Sequence, residues 1–462
     1  MGTARERAHG EDAMKQGTIN RISGRKAQIS KSSRGTYVKP PRMRRSVFVV
    51  NQALRGLAAV TALQLTAPAF ALPTGESLQF GGATVARPTA TQMDITQTTS
   101  KAGLNWTSFS IAQPETVNVL QPSSSSVLLN RVVGSDQSQI FGALNANGRV
   151  FLVNPNGILF APGAAVNVGG LVASTLDITD ANFQAGGTAG NPYVFTKGAT
   201  AGNVVNQGNI TITVPDSYAA LLGTQASNEG AGTITAVRGT VALAAGEKVT
   251  LNILGDNLIN VSVDQAAAGA LALNSGSIIA AGGTIFLTAR SADALLGTVI
   301  NNSGLIKATS LTEVNGRIFL DGGAGNVVNS GTLDATGSGG SVNSTGGAFS
   351  NTGTIAATGA TVDINHTGTV TIEGGISAAS MSVTGGGVDI TNSGAGFAVN
   401  AAGTQTLTAT QDNINVTNSG TGLLTLQVVG DATVGGVQTF NAQHGDINIS
   451  SSGAGEIGRA HV

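Results

Sequence analysis

The sequence predicts an all-β protein, a right-handed parallel β-helix that follows an N-terminal signal peptide. Three observations lead there. An Asn-x-Gly signal recurs at Asn206, Asn228, Asn274, Asn302, Asn329 and Asn351, with spacings of 22, 46, 28, 27 and 22 residues. A period in the twenties, punctuated by Gly and Asn turns, marks a solenoid. Between these signals the chain alternates, as in Thr361, Val362, Asp363, Ile364 and Asn365, so one strand face is aliphatic and the other polar. Composition is the third: aromatics are 4% and charged residues 11% of the 462, while Gly numbers 65, which suits many thin aliphatic cores rather than one deep core. The spacing of 46 is read as two coils with one degenerate turn.

Residues 1–71 form the first segment. Residues 1–45 carry 12 Lys and Arg against three acids, whereas from Leu72 onward 11 Lys and Arg face 22 acids. A basic head could bind nucleic acid, but Arg42, Arg44 and Arg45 stand directly before an apolar stretch, as in a signal n-region, so no nucleic-acid partner is expected. Asn51, Gln52 and Arg55 interrupt that stretch and make it too poor for a span of about 20 apolar residues. Ala69, Phe70 and Ala71 form a small-x-small cleavage site that places the mature start at Leu72. Initiation at Met43 would give a signal of 29 residues, so 1–71 is read as an extended or mis-started signal peptide. The chain has no cysteine, in keeping with export through an oxidising compartment.

Residues 148–175, GRVFLVNPNGILFAPGAAVNVGGLVAST, read as strand, turn, strand. Val150, Phe151, Leu152 and Val153 make a β-run. Asn154, Pro155, Asn156 and Gly157 stop it, because Pro155 fixes φ while Asn156 and Gly157 tolerate positive φ. Ile158, Leu159 and Phe160 resume it. A second repeat phase, Gly-x-Val/Ile-x-Leu, starts at Gly148, Gly239, Gly283 and Gly316. Coils should pair about 4.8 Å apart, with the recurring Asn side chains stacked as a hydrogen-bonded ladder in αL turns. At about 22 residues per coil, the mature part would hold about 16 coils over about 80 Å. The run 291–300 has helical composition but continues into NNSG, so it reads as loop plus strand. Residues 311–455 read as further β-helix repeats, loosening from Gly374. The end, Glu456, Ile457, Gly458, Arg459, Ala460, His461 and Val462, can be encoded by GAGATCGGAAGAGCACACGTC, which resembles a common sequencing adapter. Residues 456–462 are therefore expected to be an artefact, with the native sequence lost near Gly455.

Chemistry-bearing clusters are sparse. A β-helical polysaccharide lyase or hydrolase needs grouped carboxylates with a basic neighbour. Asp177 with Asp180, Asp256 with Asp264, and Asp363 with Glu373 lie on separate turns with little Arg or Lys nearby, and read as solvated loop acids. His366, His444 and His461 have no partner at metal-ligand spacing. GGGVD at 385–389 lacks the repeated unit of calcium-binding loops. No catalytic residue, metal or cofactor is expected.

The wording of 148–175 resembles the secretion domain of the filamentous-haemagglutinin family, the exoproteins of bacterial two-partner secretion. The likeness begins with LNWTSFSI at Leu104 and runs through VLLNRVVGSDQSQIFGALNANGRVFLVNPNGILF and VNVGGLVASTLDI. It returns in YAALLG, GTVALAAGEKVTL and LTARSADALLGTVINNSGLI, covering roughly residues 75–310. The Asn-Pro-Asn-Leu turn and cysteine pair of one branch are absent, so the closer likeness is to high-molecular-weight adhesins and haem-scavenging exoproteins.

That resemblance implies a secretion domain over 72–310, engaged by the periplasmic domains of an outer-membrane β-barrel transporter. Asn154, Pro155, Asn156, Gly157 and Ile158 match the motif important for secretion, and Asn130, Arg131 and Val132 match its upstream companion. The chain would be the amino-terminal part of a large adhesin, monomeric, secreted or held at the bacterial cell surface after passing the periplasm. A host-cell or matrix receptor would be met by a distal region. The alternatives are a haem-acquisition exoprotein of the same secretion class and a β-helical polysaccharide-active enzyme.

Overall fold

The computed structural model describes residues 72–254, 257–292, 297–312, 314–428, 437–452 and 456–461. Residues 1–71, with Ala69 and Ala71 of the expected cleavage site, lie outside the described residues, as does Asp256. The chain divides into two units, Met1–Leu65 and Thr66–Val462, and every described residue belongs to the second. Leu72 is buried there.

This second unit is a parallel β-helix whose coils have three faces. One turn runs from Ser138–Ile140 on the third face, through Ala143–Ala146 on the first, to Arg149–Val153 on the second. The chain then returns as Ile158–Phe160, paired in parallel register with Ser138–Ile140. The third face is a stack of 12 strands, and the first two faces share one sheet of 27 strands. They merge because Thr354–His366 and Ile376–Gly385 run straight through the corner to serve both.

The alternating pattern explains the interior. Val117, Leu144, Val166, Ile210, Ile234, Ile278, Ile306 and Leu333 are successive register partners on the first face, all fully buried. Each such side chain stabilises by about 1.5–3 kcal/mol. The Asn ladder is also present: Nδ2 of Asn206 donates to Oδ1 of Asn228 at 2.7 Å. The chain of bonds continues from Asn228 to Asn274, Asn302, Asn329 and Asn351 at 2.7–2.8 Å. A shorter ladder joins Asn392 to Asn418.

Three expectations are corrected. None of the ladder asparagines has positive φ. The Gly after Asn274, Asn302, Asn329 and Asn351 is required instead by close approach, since a Cβ on Gly304 or Gly331 would lie 2.1 Å from the carbonyl oxygen of Gly276 or Gly304 in the preceding coil, whereas Gly230 after Asn228 has open space and a positive φ of 59°. The spacing of 46 is one coil, not two, because Gln225–Asn228 pairs directly with Leu271–Asn274 and the hairpin Lys248–Leu254/Asn257–Gln265 loops out between them. The third-face ladder of 12 strands spans about 50 Å, short of the 16 coils expected. The missing residues form that hairpin, an excursion over 175–202, and an antiparallel cap of Ser77–Phe80, Ala83–Thr89 and Gln92–Gln97. The excursion also contains a short helix, Asp180–Ala185, whose six residues are too few to carry helical periodicity. Thr298–Asn302 is a strand, as read; residues 293–296 before it lie outside the described residues. Ile457–His461 pairs in parallel with Leu424–Val428.

Candidate functional site

The strand Arg149–Val153 is buried at every position. Val150 and Leu152 face the β-helix interior, while Phe151 and Val153 face outward into a second core. That core is covered by the excursion and by the antiparallel sheet of Tyr193–Thr196, Lys248–Leu254 and Asn257–Gln265. A strand covered on both faces is apolar throughout rather than alternating. Phe151 makes edge contacts with Phe183 at 5.4 Å and Tyr193 at 5.1 Å between ring centroids.

Asn154 opens the turn that follows. The amide N–H of Gly157 donates to the Asn154 carbonyl at 3.1 Å. Only Gly157 has positive φ, at 123°, so Asn156 does not use that freedom. Asn154 is fully buried, with Nδ2 donating to the Asp136 carbonyl at 2.9 Å and to Ser138 Oγ at 3.0 Å. Its Oδ1 accepts from the backbone N–H of Asn156 and, at 3.2 Å, from Asn156 Nδ2. Asn156 Nδ2 also donates to the Gly134 carbonyl at 2.8 Å. Pro155 lends its carbonyl to Gly202 N–H at 2.8 Å, and Ile158 is buried in the interior.

Asn130, Arg131 and Val132 lie on the neighbouring rung, where Asn130 pairs with Leu152 and Arg131 with Val153. Asn130 points inward, and its Oδ1 accepts from Trp106 Nε1 at 3.0 Å. Val132 is buried in the same interior. Arg131 points outward and is gripped by Asp177 at 2.9 Å, by Asp180 at 2.7 Å and by the Ile178 carbonyl. Burial opposes its charge, but bonding to Asp180 and the fields of both carboxylates more than offset this, holding its pKa above the usual value. The two sequence motifs thus meet, because both asparagines of the turn hold the loop that follows Val132.

Asp177 and Asp180 are therefore not the free loop acids expected from the sequence. Their cation lies some 46 residues upstream and reaches them only through the coil. A local signal was available: Thr179 caps the helix Asp180–Ala185, accepting from Asn182 N–H, with Asp180 in the first turn. Lys101 completes the clasp. Its Nζ donates to the carbonyls of Phe183, Gln184 and Gly186 at 2.9, 2.8 and 2.6 Å, at the helix C-terminal end. Burial lowers its pKa. Asp264 accepts from Thr250 and Ser262 hydroxyls, while Asp363 and Glu373 stand on different coils. Among the described residues no three His, Asp or Glu side chains group as metal ligands, and no helix is long and apolar enough to cross a membrane.

The model of the TPS secretion domain family matches residues 70–335, more than half of the chain and both motifs. The chain belongs to the TPS secretion domain family. This TPS secretion domain is 35% identical to the heme/hemopexin-binding protein of Haemophilus influenzae strain Rd over 253 residues, 54% of this chain and 27% of that protein. A second heme/hemopexin-binding protein from the same species is 32% identical over 260 residues, again 27% of its length. The chain spans about a quarter of the length of these curated relatives. The crystal structure of the HMW1 secretion domain from Haemophilus influenzae covers 82% of this chain and 100% of its own, at 26% identity and a TM-score of 0.51. The chain is thus part of an exported exoprotein of two-partner secretion, and the β-helix is the fold of its secretion domain.

Proposed function

We propose that the chain forms the amino-terminal secretion unit of a large adhesin, recognised in the periplasm by an outer-membrane β-barrel transporter. The TPS family match across both motifs carries this reading. Adhesion to a host-cell or matrix receptor would belong to a distal region, and the protein acts without catalysis or cofactor. Because Asn154 is buried and its amide is engaged on both sides, a transporter that reads it does so before the coil closes. The chain crosses unfolded, and each emerging coil finds its backbone partners on the coil before it. Burial of aliphatic columns then opposes return, which supplies direction without a nucleotide.

The test is export into the medium from cells with and without the transporter. Dependence on it is expected, and equal export without it would overturn the proposal. Double substitution Asn154→Ala, Asn156→Ala separates recognition from folding. Lost export of a chain that still refolds normally in vitro supports contact, whereas lost folding assigns the motif to the turn.

A second reading, haem acquisition, is favoured by the likeness to two heme/hemopexin-binding proteins. Their likeness covers 27% of each relative, so binding of haem-loaded hemopexin by the full-length exoprotein is the deciding measurement.

A further inference from the structure

The outward column on the second face runs Phe151, Val172, Ala220, Ala242, Phe286, Phe319 and Asn343 in register. The first four are fully buried beneath the covering sheet. Its last strand, Asn257–Gln265, ends over Phe286, which packs against the edge of that second core. Phe319 lies one rung further on, beyond the cover and only half-buried. Its ring stacks on Phe286 at 5.1 Å and 14°. An outward phenylalanine with its cover gone is unusual in a column that turns polar at the next rung, Asn343.

A cleft of about 350 Å³ opens beside this ring, walled by Ile259 and Asn260 of the hairpin. Its charged groups sit at the two ends. Arg317 stands at one, on the strand Arg317–Asp321. At the other, Asp321 is paired with Arg290 at 2.6 Å and accepts from Thr345 Oγ1 at 3.2 Å. Thr288 also lines the cleft; it is 3% exposed, and its hydroxyl has no hydrogen-bond partner. A buried hydroxyl without a partner calls for one. With Arg290 neutralised by Asp321, the charge presented is that of Arg317, on a body where acids outnumber bases by 22 to 11.

We propose that this cleft binds a carboxylated pyranose. Phe286 backs the Phe319 ring, and the C–H face of the sugar packs over the part of these rings left exposed in the cleft beside Ile259. The carboxylate meets the Arg317 guanidinium as a charge-assisted pair, and ring hydroxyls meet Asp321 and Thr288. A flat apolar platform bracketed by hydrogen-bonding groups suits a ring with one apolar face and polar edges. A peptide strand added to the edge of Asn257–Gln265 would leave Thr288 unanswered.

The test is isothermal titration of the purified chain with a tetrasaccharide of alternating glucuronate and N-acetylglucosamine, with a neutral β-1,4-glucose tetrasaccharide alongside. The acidic sugar should bind more tightly. Phe319→Leu, which keeps apolar volume but removes the ring, should weaken it about tenfold without changing the melting profile. Arg317→Gln, at an exposed position, should abolish the preference for the acidic sugar while neutral binding persists, and it keeps the test open should Phe319→Leu fold poorly. Binding of neither sugar, or equal affinity in both variants and the parent, would overturn the assignment.

Discussion

Asn302 has both neighbours in the ladder, accepting from Asn274 Nδ2 and donating to Asn329 Oδ1, each at 2.8 Å. It is fully buried, so neither bond can be replaced by water. Asn302→Leu leaves a donor and an acceptor stranded, at about 1–3 kcal/mol each. Chemical denaturation should show a loss of that order, larger than for the outward Asn301→Leu beside it. His366 makes a second residue-scale argument. It is buried in the interior, with Nε2 at 2.9 Å from Ser344 Oγ, and burial pushes its pKa down to about 4. The unfolded chain takes up a proton near pH 6.5, while the folded chain refuses it until about pH 4. The stability present above pH 6.5 is therefore lost as pH falls through that window, by up to about 3 kcal/mol. Equilibrium unfolding followed from pH 7.5 to 4 should show this slope, and His366→Phe should flatten it.

At the scale of elements, coils and excursions differ in how well the sequence announces them. A coil repeats the conditions met by the previous one: an inward aliphatic at Ile278 above Ile234, an Asn at 274 above 228, a Gly wherever carbonyls of the preceding coil crowd the corner. Such periodic demands leave a periodic text, so the β-helix and its ladder were readable before the structure. Excursions answer to no period. The hairpin Lys248–Leu254/Asn257–Gln265 lies inside a spacing whose length matches two coils. The trace it left lies elsewhere, in strands such as Tyr218–Gly223 and Thr240–Ala245 that are buried at all six positions and so require a cover on the outside. The clasp was hidden for another reason: Lys101, Arg131, Asp177 and Asp180 come together only when coils stack. Its energetics are local. Lys101→Met removes three donors from the helix end, at a cost of order 1–2 kcal/mol. Amide exchange should accelerate across 180–195 while Arg149–Val153 stays protected; uniform acceleration would mean the excursion and the coils unfold together.

For the molecule as a whole, the proposed export mechanism makes a positional demand. If folding outside the cell draws the chain through, every coil contributes pull, including those beyond the residues 70–335 matched by the TPS family. Leu407 is fully buried on the second face, in register with Val383 before it and Phe440 after it. Leu407→Asp places a carboxylate where no partner is available, at a cost of several kcal/mol. Thr406 next to it points outward, so Thr406→Asp adds the same charge at almost no cost. Neither position touches the two motifs, so recognition by the transporter should be equal in both. A pulse of synthesis followed by surface protease accessibility would separate the steps. The parent and Thr406→Asp should reach the surface at one rate, while Leu407→Asp begins export normally and then slows as its coil emerges. Equal rates for all three would remove folding as the source of direction and leave the β-helix as the product of export rather than its engine.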